Sequence, residues 1–509
     1  MKKIEIFVLL LIPILFLLIL GKYYFPETLQ EASEETKNEV IMTTNYYNYR
    51  TELYLDKEQY PTYSERNERA QSIPVLVYHG ISNQPYKEDT TLNNFKEQLF
   101  RLKKEGYQTI TLQDFYDFVE GKKELPEKSF LLTFDDGIKS SYYNVDPILK
   151  ALNYSAVIFI ISKYSVNETH NSVYYLNYNE IKEMKNTGRW ELQAHAKDSH
   201  NLIPIDSSGN LGRFFSSKMW LADQVRLETN EEYIERVNTE FTSLNEDLTE
   251  KLDQNIYAFA FPFGDMGEAS LNFPEAREML ANEAVKHYKL IFHQHWPSKG
   301  FSGNYPGEEI FVRRITVYSH WNDQELMWVL EKAEDKSTPF YDDFEFNTGW
   351  IKVAGDVIVG NSSLVMKTSN ITHDGSVFLD GSALFKDYVF KISMKELNVS
   401  ELSLRARYKN EYNYLSCDFN NKKIRIIERI DGQRRELAFI NSPNILGGSN
   451  KIAAIRVKNN SVGCLFDNKE LITTRFNEDL INGGVSIRIS ESSEKEGVLT
   501  LNEVNIENA

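Results

Sequence analysis

The pattern of apolar and polar positions divides the chain into four stretches. Residues 6–20 form an apolar run interrupted only by Pro13, with Lys2 and Lys3 before it and Lys22 after it. The stretch from Ile4 to Phe25 is long enough to span a bilayer, and no small-x-small cleavage site follows it. Residues 1–25 therefore read as an uncleaved signal anchor, with the lysines cytoplasmic and the rest of the chain outside the cell membrane. Residues 26–71 are polar, acidic and tyrosine-rich without helical or strand periodicity, and read as a stalk.

From residue 72 the pattern changes. Apolar strands are predicted at 73–78, 107–112, 130–134, 156–161, 190–194, 257–261, 288–292 and 311–317. They alternate with helical spacing at 93–105, 113–120, 143–152, 179–186, 231–251, 274–285 and 323–332. In the first of these helices Phe95, Leu99 and Leu102 share one face, and Gly106 follows as a stop. About seven strand–helix units predict an α/β fold, a distorted (β/α)7-type barrel over 72–335, and no glycine-rich dinucleotide loop is present. Past residue 336 helical spacing ends. Short alternating runs at 353–359, 363–368, 388–393, 402–408, 424–430, 452–457, 461–466 and 484–489 predict an all-β jelly-roll sandwich over 336–509.

Composition narrows the partners. A chain of 509 residues exceeds one compact domain, which agrees with this division. A formal net charge of −17 argues against nucleic acid or an anionic membrane surface as the main partner. Cys417 and Cys464 are the only cysteines, which excludes a disulfide framework and a cysteine zinc cluster. A bridge between neighbouring strands and two buried thiols both remain open for this pair.

Chemistry concentrates at Leu131-Leu132-Thr133-Phe134-Asp135-Asp136-Gly137. A buried strand ends there in two adjacent carboxylates, and a glycine turn after a strand can aim both at one cavity. Like charges that close need a cation or a shared proton. His79 and His195 fall at predicted strand ends and His200 follows five residues after His195. Strand ends converge in a barrel, so Asp135, Asp136, His79, His195 and His200 can share one site. Two imidazoles and a carboxylate suit zinc, with cobalt or nickel as alternatives, and leave the second carboxylate as a base. Such a metal lowers the pKa of water and polarises a carbonyl, which is hydrolytic chemistry.

Thr133-Phe134-Asp135-Asp136-Gly137 resembles the signature motif of the polysaccharide deacetylases, the NodB-homology fold of carbohydrate esterase family 4. His195-Ala-Lys-Asp-Ser-His200 resembles the family's histidine-pair motif, and Ala260-Phe261-Pro262-Phe263-Gly264 matches a third motif in part. The resemblance implies Asp136, His195 and His200 as metal ligands and Asp135 as general base. It also implies a backbone N–H near Phe263 for the oxyanion. The chain departs from the family in three ways. The histidine gap is five rather than four, as in biofilm exopolysaccharide deacetylases acting on poly-N-acetylhexosamines. Ala260 stands where the family has an arginine that orients the base, so that help is absent or comes from elsewhere. A late Leu-x-Leu-His-Asp motif is missing, and Val75-Leu76-Val77-Tyr78-His79 resembles the early strand end that replaces it in the biofilm subgroup. That makes His79 the expected general acid, with His293 and His295 as substitutes.

Residues 204–230 are too long for a simple connection and carry Phe214, Phe215 and Trp220, which either line a substrate groove or bury one another. The start of the sandwich, Asp342-Asp343-Phe344 with Gly349-Trp350, resembles concanavalin-like domains and implies carbohydrate binding or a spacer. The expectation is a membrane-anchored, extracytoplasmic, metal-dependent N-deacetylase. Its substrate would be an amino-sugar exopolysaccharide, with export machinery as a further partner. The alternatives are a non-catalytic polysaccharide-binding scaffold and a peptidoglycan deacetylase. A glycoside hydrolase fits badly, because its two carboxyls stand roughly 5 Å or more apart across the bond.

Overall fold

Alternation along each apolar strand decides which side chains face inward. The computed structural model describes residues 69–509, apart from 85–87, 168–171, 295–299, 308–309, 442–444, 447 and 493–494. The expected anchor and nearly all of the stalk lie outside the described residues. No described helix is long and apolar enough to cross a membrane.

The barrel strands are β1 (Ile73–Tyr78), β2 (Ser129–Phe134), β3 (Ala156–Ile161), β4 (Trp190–Ala196), β5 (Ala258–Ala260), β6 (Leu290–His293), β7 (Phe311–Arg313) and β8 (Ile315–Thr316). They pair in parallel in the order β1-β2-β3-β4-β5-β6-β7. Beyond a break at Arg314, β8 pairs in parallel with β1, which brings a nearly closed ring back to its start. Val75, Leu131, Val157, Phe159, Ala260, Phe292 and Val312 fill the interior. Leu76, Leu132, Phe134, Ile158, Ile160, Leu192 and Ala194 point outward under the helices. The expected strand over 311–317 is thus two short strands around Arg314. The expected helix over 143–152 is also two, Lys139–Tyr143 and Asp146–Leu152, because Pro147 starts the second one.

Helix Asn230–Leu252 begins in a capping box between Thr229 and Glu232 and buries Val237, Phe241, Leu244 and Leu248 at helical spacing. The long insertion before it folds as two hairpins, Leu202–Pro204 with Leu211–Arg213 and Trp220–Leu221 with Arg226–Leu227. Phe214 and Phe215 are buried, and Phe215 lies against Phe241, Phe259 and Phe261. These two aromatics therefore serve the core rather than a groove, while Trp220 is half-buried.

Residues 340–508 form two facing antiparallel sheets. Cys417 and Cys464 form a disulfide, and they lie on strands of different sheets, so the bond joins the facing layers rather than neighbouring strands. Phe301 and Tyr305, between β6 and β7, pack with Phe378 and Tyr408 of the sandwich, and Ser302 bonds to Asp380.

Candidate active site

On β2, positions 131 and 133 face the interior, so alternation carries Asp135 inward as the next member of the series. The same rule would send Asp136 outward. Instead the chain turns: Asp136 has φ 72° and Gly137 φ 74°, two consecutive left-handed residues that end the strand abruptly. A side chain at Gly137 would also meet Ser165 and Ile160. This turn is what lets adjacent carboxylates serve one site.

Asp136 Oδ1 stands 3.1 Å from His195 Nε2 and 3.3 Å from His200 Nε2. One ligand atom from each of these three residues falls within 4.8 Å of the others, an arrangement that fits a metal ion. His195 lies inside β4 rather than beyond it, on the inward face with Gln193. Its Nδ1–H donates to the Ala260 carbonyl at 2.8 Å, which orients the ring and turns Nε2 toward Asp136. Ala260, which stands in the place of the motif arginine, thus acts through its backbone. Burial works to raise the Asp136 pKa, but hydrogen bonds from His195 and His200 and their charge outweigh it, and the carboxyl is held well below its usual range.

The turn between the two histidines hangs on one residue. Glu240, on helix Asn230–Leu252, accepts from the backbone N–H groups of Lys197 (2.8 Å), Asp198 (3.0 Å) and Ser199 (2.9 Å). These contacts set where His200 stands, and Glu240 escaped the motif reading because it lies on a helix 40 residues away in the chain.

Asp135 is held from the break between β7 and β8. The Arg314 guanidinium donates to both carboxylate oxygens, at 2.7 and 2.8 Å, and both side chains are buried. Arg314 follows Val312 on the inward face and occupies the strand break, so it supplies the arginine that Ala260 lacks. Burial pushes the Asp135 pKa up, but the Arg314 and His195 charges, the Arg314 hydrogen bonds and the His79 charge hold it below the usual carboxylate range. Removing one partner of such a pair typically costs about 3–5 kcal/mol, because the other charge is left buried.

Gln294 connects the remaining pieces. Its Nε2 donates to Asp135 Oδ2 at 3.1 Å and stands 3.4 Å from His79 Nε2. His79, just past β1, is held by its carbonyl, which accepts from the Ser141 hydroxyl at 2.7 Å. Phe263 has φ 60°, is 43% exposed and lies 4.7 Å from the His200 ring. Arg213, ion-paired with Asp265, also lies over the Phe263 ring. His293 is buried at the end of β6, paired in register with Arg313. His295 lies outside the described residues. The site thus gathers Asp135, Asp136, His79, His195, His200 and Phe263, and adds Arg314, Gln294 and Glu240.

Residues 122–279 match the family model described as polysaccharide deacetylase. This part of the barrel is thus similar to the polysaccharide deacetylases. The chain is 29% identical over 180 residues to the poly-beta-1,6-N-acetyl-D-glucosamine N-deacetylase of Escherichia coli (strain K12), across 33% of this chain and 27% of that one. It is 30% identical over 144 residues to the protein of the same name from Staphylococcus aureus (strain MRSA252), across 28% of this chain and 49% of that one. The chain therefore spans half or less of the length of these relatives. Among solved structures, a de-N-acetylase from Aggregatibacter actinomycetemcomitans aligns over 51% of this chain and 99% of its own at 20% identity, with a TM-score of 0.42.

Proposed function

We propose that the protein removes N-acetyl groups from an extracellular poly-N-acetylglucosamine-type exopolysaccharide, releasing acetate and leaving a free amine on the polymer. The observation that carries this reading is a carboxylate fixed from both oxygens by buried Arg314, beside an Asp-His-His triad suited to a divalent ion. Both relatives named above are N-deacetylases of such a polymer. Zinc fits the two-nitrogen, one-oxygen donor set of Asp136, His195 and His200, and when bound it would supply Lewis acidity to water and to the acetyl carbonyl.

The chain's own residues divide the remaining work. Asp135, held anionic by Arg314, accepts the proton of the water that attacks the acetyl carbon. The backbone N–H of Phe263, in a left-handed turn, would donate to the oxyanion. His79 donates a proton to the departing nitrogen as the C–N bond breaks, and Gln294 holds His79 and Asp135 in one frame. The Cys417–Cys464 bond suits an oxidising compartment, which supports placing the enzyme outside the cytoplasm, tethered through residues 1–25.

The test measures acetate released from N-acetylglucosamine oligomers by wild type and Asp135→Asn, with and without chelator. Wild type loses activity on chelation and regains it with zinc, and the variant falls by about 10²–10⁴-fold. Release that ignores chelator, or full activity in the variant, overturns the mechanism.

A further inference from the structure

Three tyrosines stand on the barrel rim with no part in the chemistry above. Tyr164 lies in the short helix Ser162–Ser165 immediately after β3. Tyr174 and Tyr175 lie on a segment joined to the turn that follows Asp136. The Lys139 N–H donates to the Tyr174 carbonyl at 2.8 Å, the Leu176 N–H donates to the Gly137 carbonyl at 2.9 Å, and Tyr175 bridges Ile138. The Tyr164 and Tyr175 rings stack at 4.4 Å with planes 14° apart, and Tyr174 meets Tyr175 edge-on at 4.7 Å.

Their place in the ring of strands is specific. β3 runs between β2, which ends in the two aspartates, and β4, which carries His195. Lys163, beside Tyr164, pairs at 2.9 Å with Asp198, which lies between the two histidines. The stack is therefore tied to both loops that supply the triad. Core aromatics of β2 and β3, Phe134 and Phe159 among them, are fully buried, whereas Tyr164, Tyr174 and Tyr175 are each half-buried. A flat, rigid, partly wet pair of phenols offers an apolar face with hydroxyls at its edge. That is the surface complementary to a sugar ring, whose faces carry C–H groups and whose rim carries hydroxyls.

We infer that Tyr164 and Tyr175 form a carbohydrate-binding platform for a polymer unit adjacent to the one whose acetamide lies at the triad. The inference rests on the deacetylase reading for the identity of the polymer, and on the placement of the tyrosines for the existence of the platform.

The experiment measures binding of an N-acetylglucosamine hexamer by calorimetry to Asp135→Asn, which stops turnover, and to the same chain carrying Tyr164→Ala and Tyr175→Ala. The expected result is about tenfold weaker binding in the alanine variant. Tyr175→Phe, which keeps the face, restores binding to within roughly twofold of the parent, and zinc binding is the same in all three. Unchanged hexamer binding in the alanine variant overturns the platform. So does a parallel loss of zinc binding, which would mean that the tyrosines only support the loops. If wild type releases no acetate from the hexamer while tyrosine-dependent binding persists, the deacetylase reading fails and the platform stands.

Discussion

In the barrel, Asp135 and Asp136 beyond the end of β2, His195 in β4 and Arg314 in the break between β7 and β8 converge on one site. In the sandwich, Arg405 is bonded to Glu411, Arg407 to Asp387 and Arg425 to Glu401. Both regions bury charge, but the distances along the chain differ. The sandwich pairs span only 6, 20 and 24 residues of the chain. Arg314 reaches Asp135 across 179 residues. A local pair satisfies a charge that the fold has stranded. A pair drawn from distant parts of the chain by closure of the ring, next to a further carboxylate and two imidazoles, concentrates charge where no packing need requires it. Convergence, more than burial, separates the chemical region from the structural one.

The sharpest way to break this comparison is to remove the two kinds of arginine in turn. Arg314→Ala should lower kcat/KM for acetate release by more than about 10²-fold, with Arg314→Lys recovering part of it. The acid limb of the pH–rate profile should also move. Burial raises the Asp135 pKa and the Arg314 charge lowers it, so loss of the charge shifts the limb to higher pH. Arg405→Ala should lower the Tm and leave kcat/KM within roughly twofold, as expected for a structural ion pair. Equal losses of activity in the two variants would remove the distinction.

The disulfide tests the sandwich from the other side. Cys417 and Cys464 close a loop of 47 residues between the facing sheets, worth about 4 kcal/mol in the chain-entropy account. The double serine variant should lose that stability in denaturant titrations, with acetate release unchanged under native conditions. A fall in activity at full occupancy of the folded state would show that the sandwich supports the site.

The sequence announces the acidic turn and the histidine pair because strand-end carboxylates followed by glycine, and two imidazoles five apart, are local patterns. Inward-facing His195 and outward-facing Ala194 follow from alternation alone. Arg314 was equally within reach of alternation, two positions after Val312, but Arg313-Arg314 reads as a polar interruption unless the ring is known to close there. Gln294 and Glu240 carry no motif, and their roles exist only once β6 and helix Asn230–Leu252 lie beside the site. In the sandwich, strands Gln433–Asn441 and Lys469–Arg475 escape the apolar pattern because most of their positions are exposed or half-buried. Val498–Asn508 buries Leu499, Leu501, Val504 and Ile506, but its alternation slips by one position at a bulge between 501 and 504, which conceals it as a single strand.

A smaller effect is expected where a helix positions the site without touching the chemistry. Glu240→Gln keeps the shape but weakens the acceptor for three backbone N–H groups between His195 and His200. Zinc affinity should fall by about 10–100-fold, as for other groups that orient metal ligands, and a competitive chelator titration reads it directly. An unchanged affinity would mean that the turn holds its shape without the charge.

The smallest effect lies at the seam between the two regions. Lys332, on helix Asp323–Ala333, is buried, lies over the Trp328 ring and backs onto Gly349 of the sandwich. Burial lowers its pKa to about 7, and the nearby Asp380 charge only partly opposes this. An unfolded lysine titrates near 10.5, so between pH 7 and 10.5 the unfolded chain binds more protons and stability rises with pH. The contribution is complete above the unfolded value and is lost as pH falls through 7. Lys332→Met removes the titration. The variant should therefore exceed wild type in unfolding midpoint most at neutral pH, and the gap should close as pH approaches 10. A gap that stays constant across that window would place the cost of Lys332 in packing rather than in its proton, and the seam would then resemble the interior of either region.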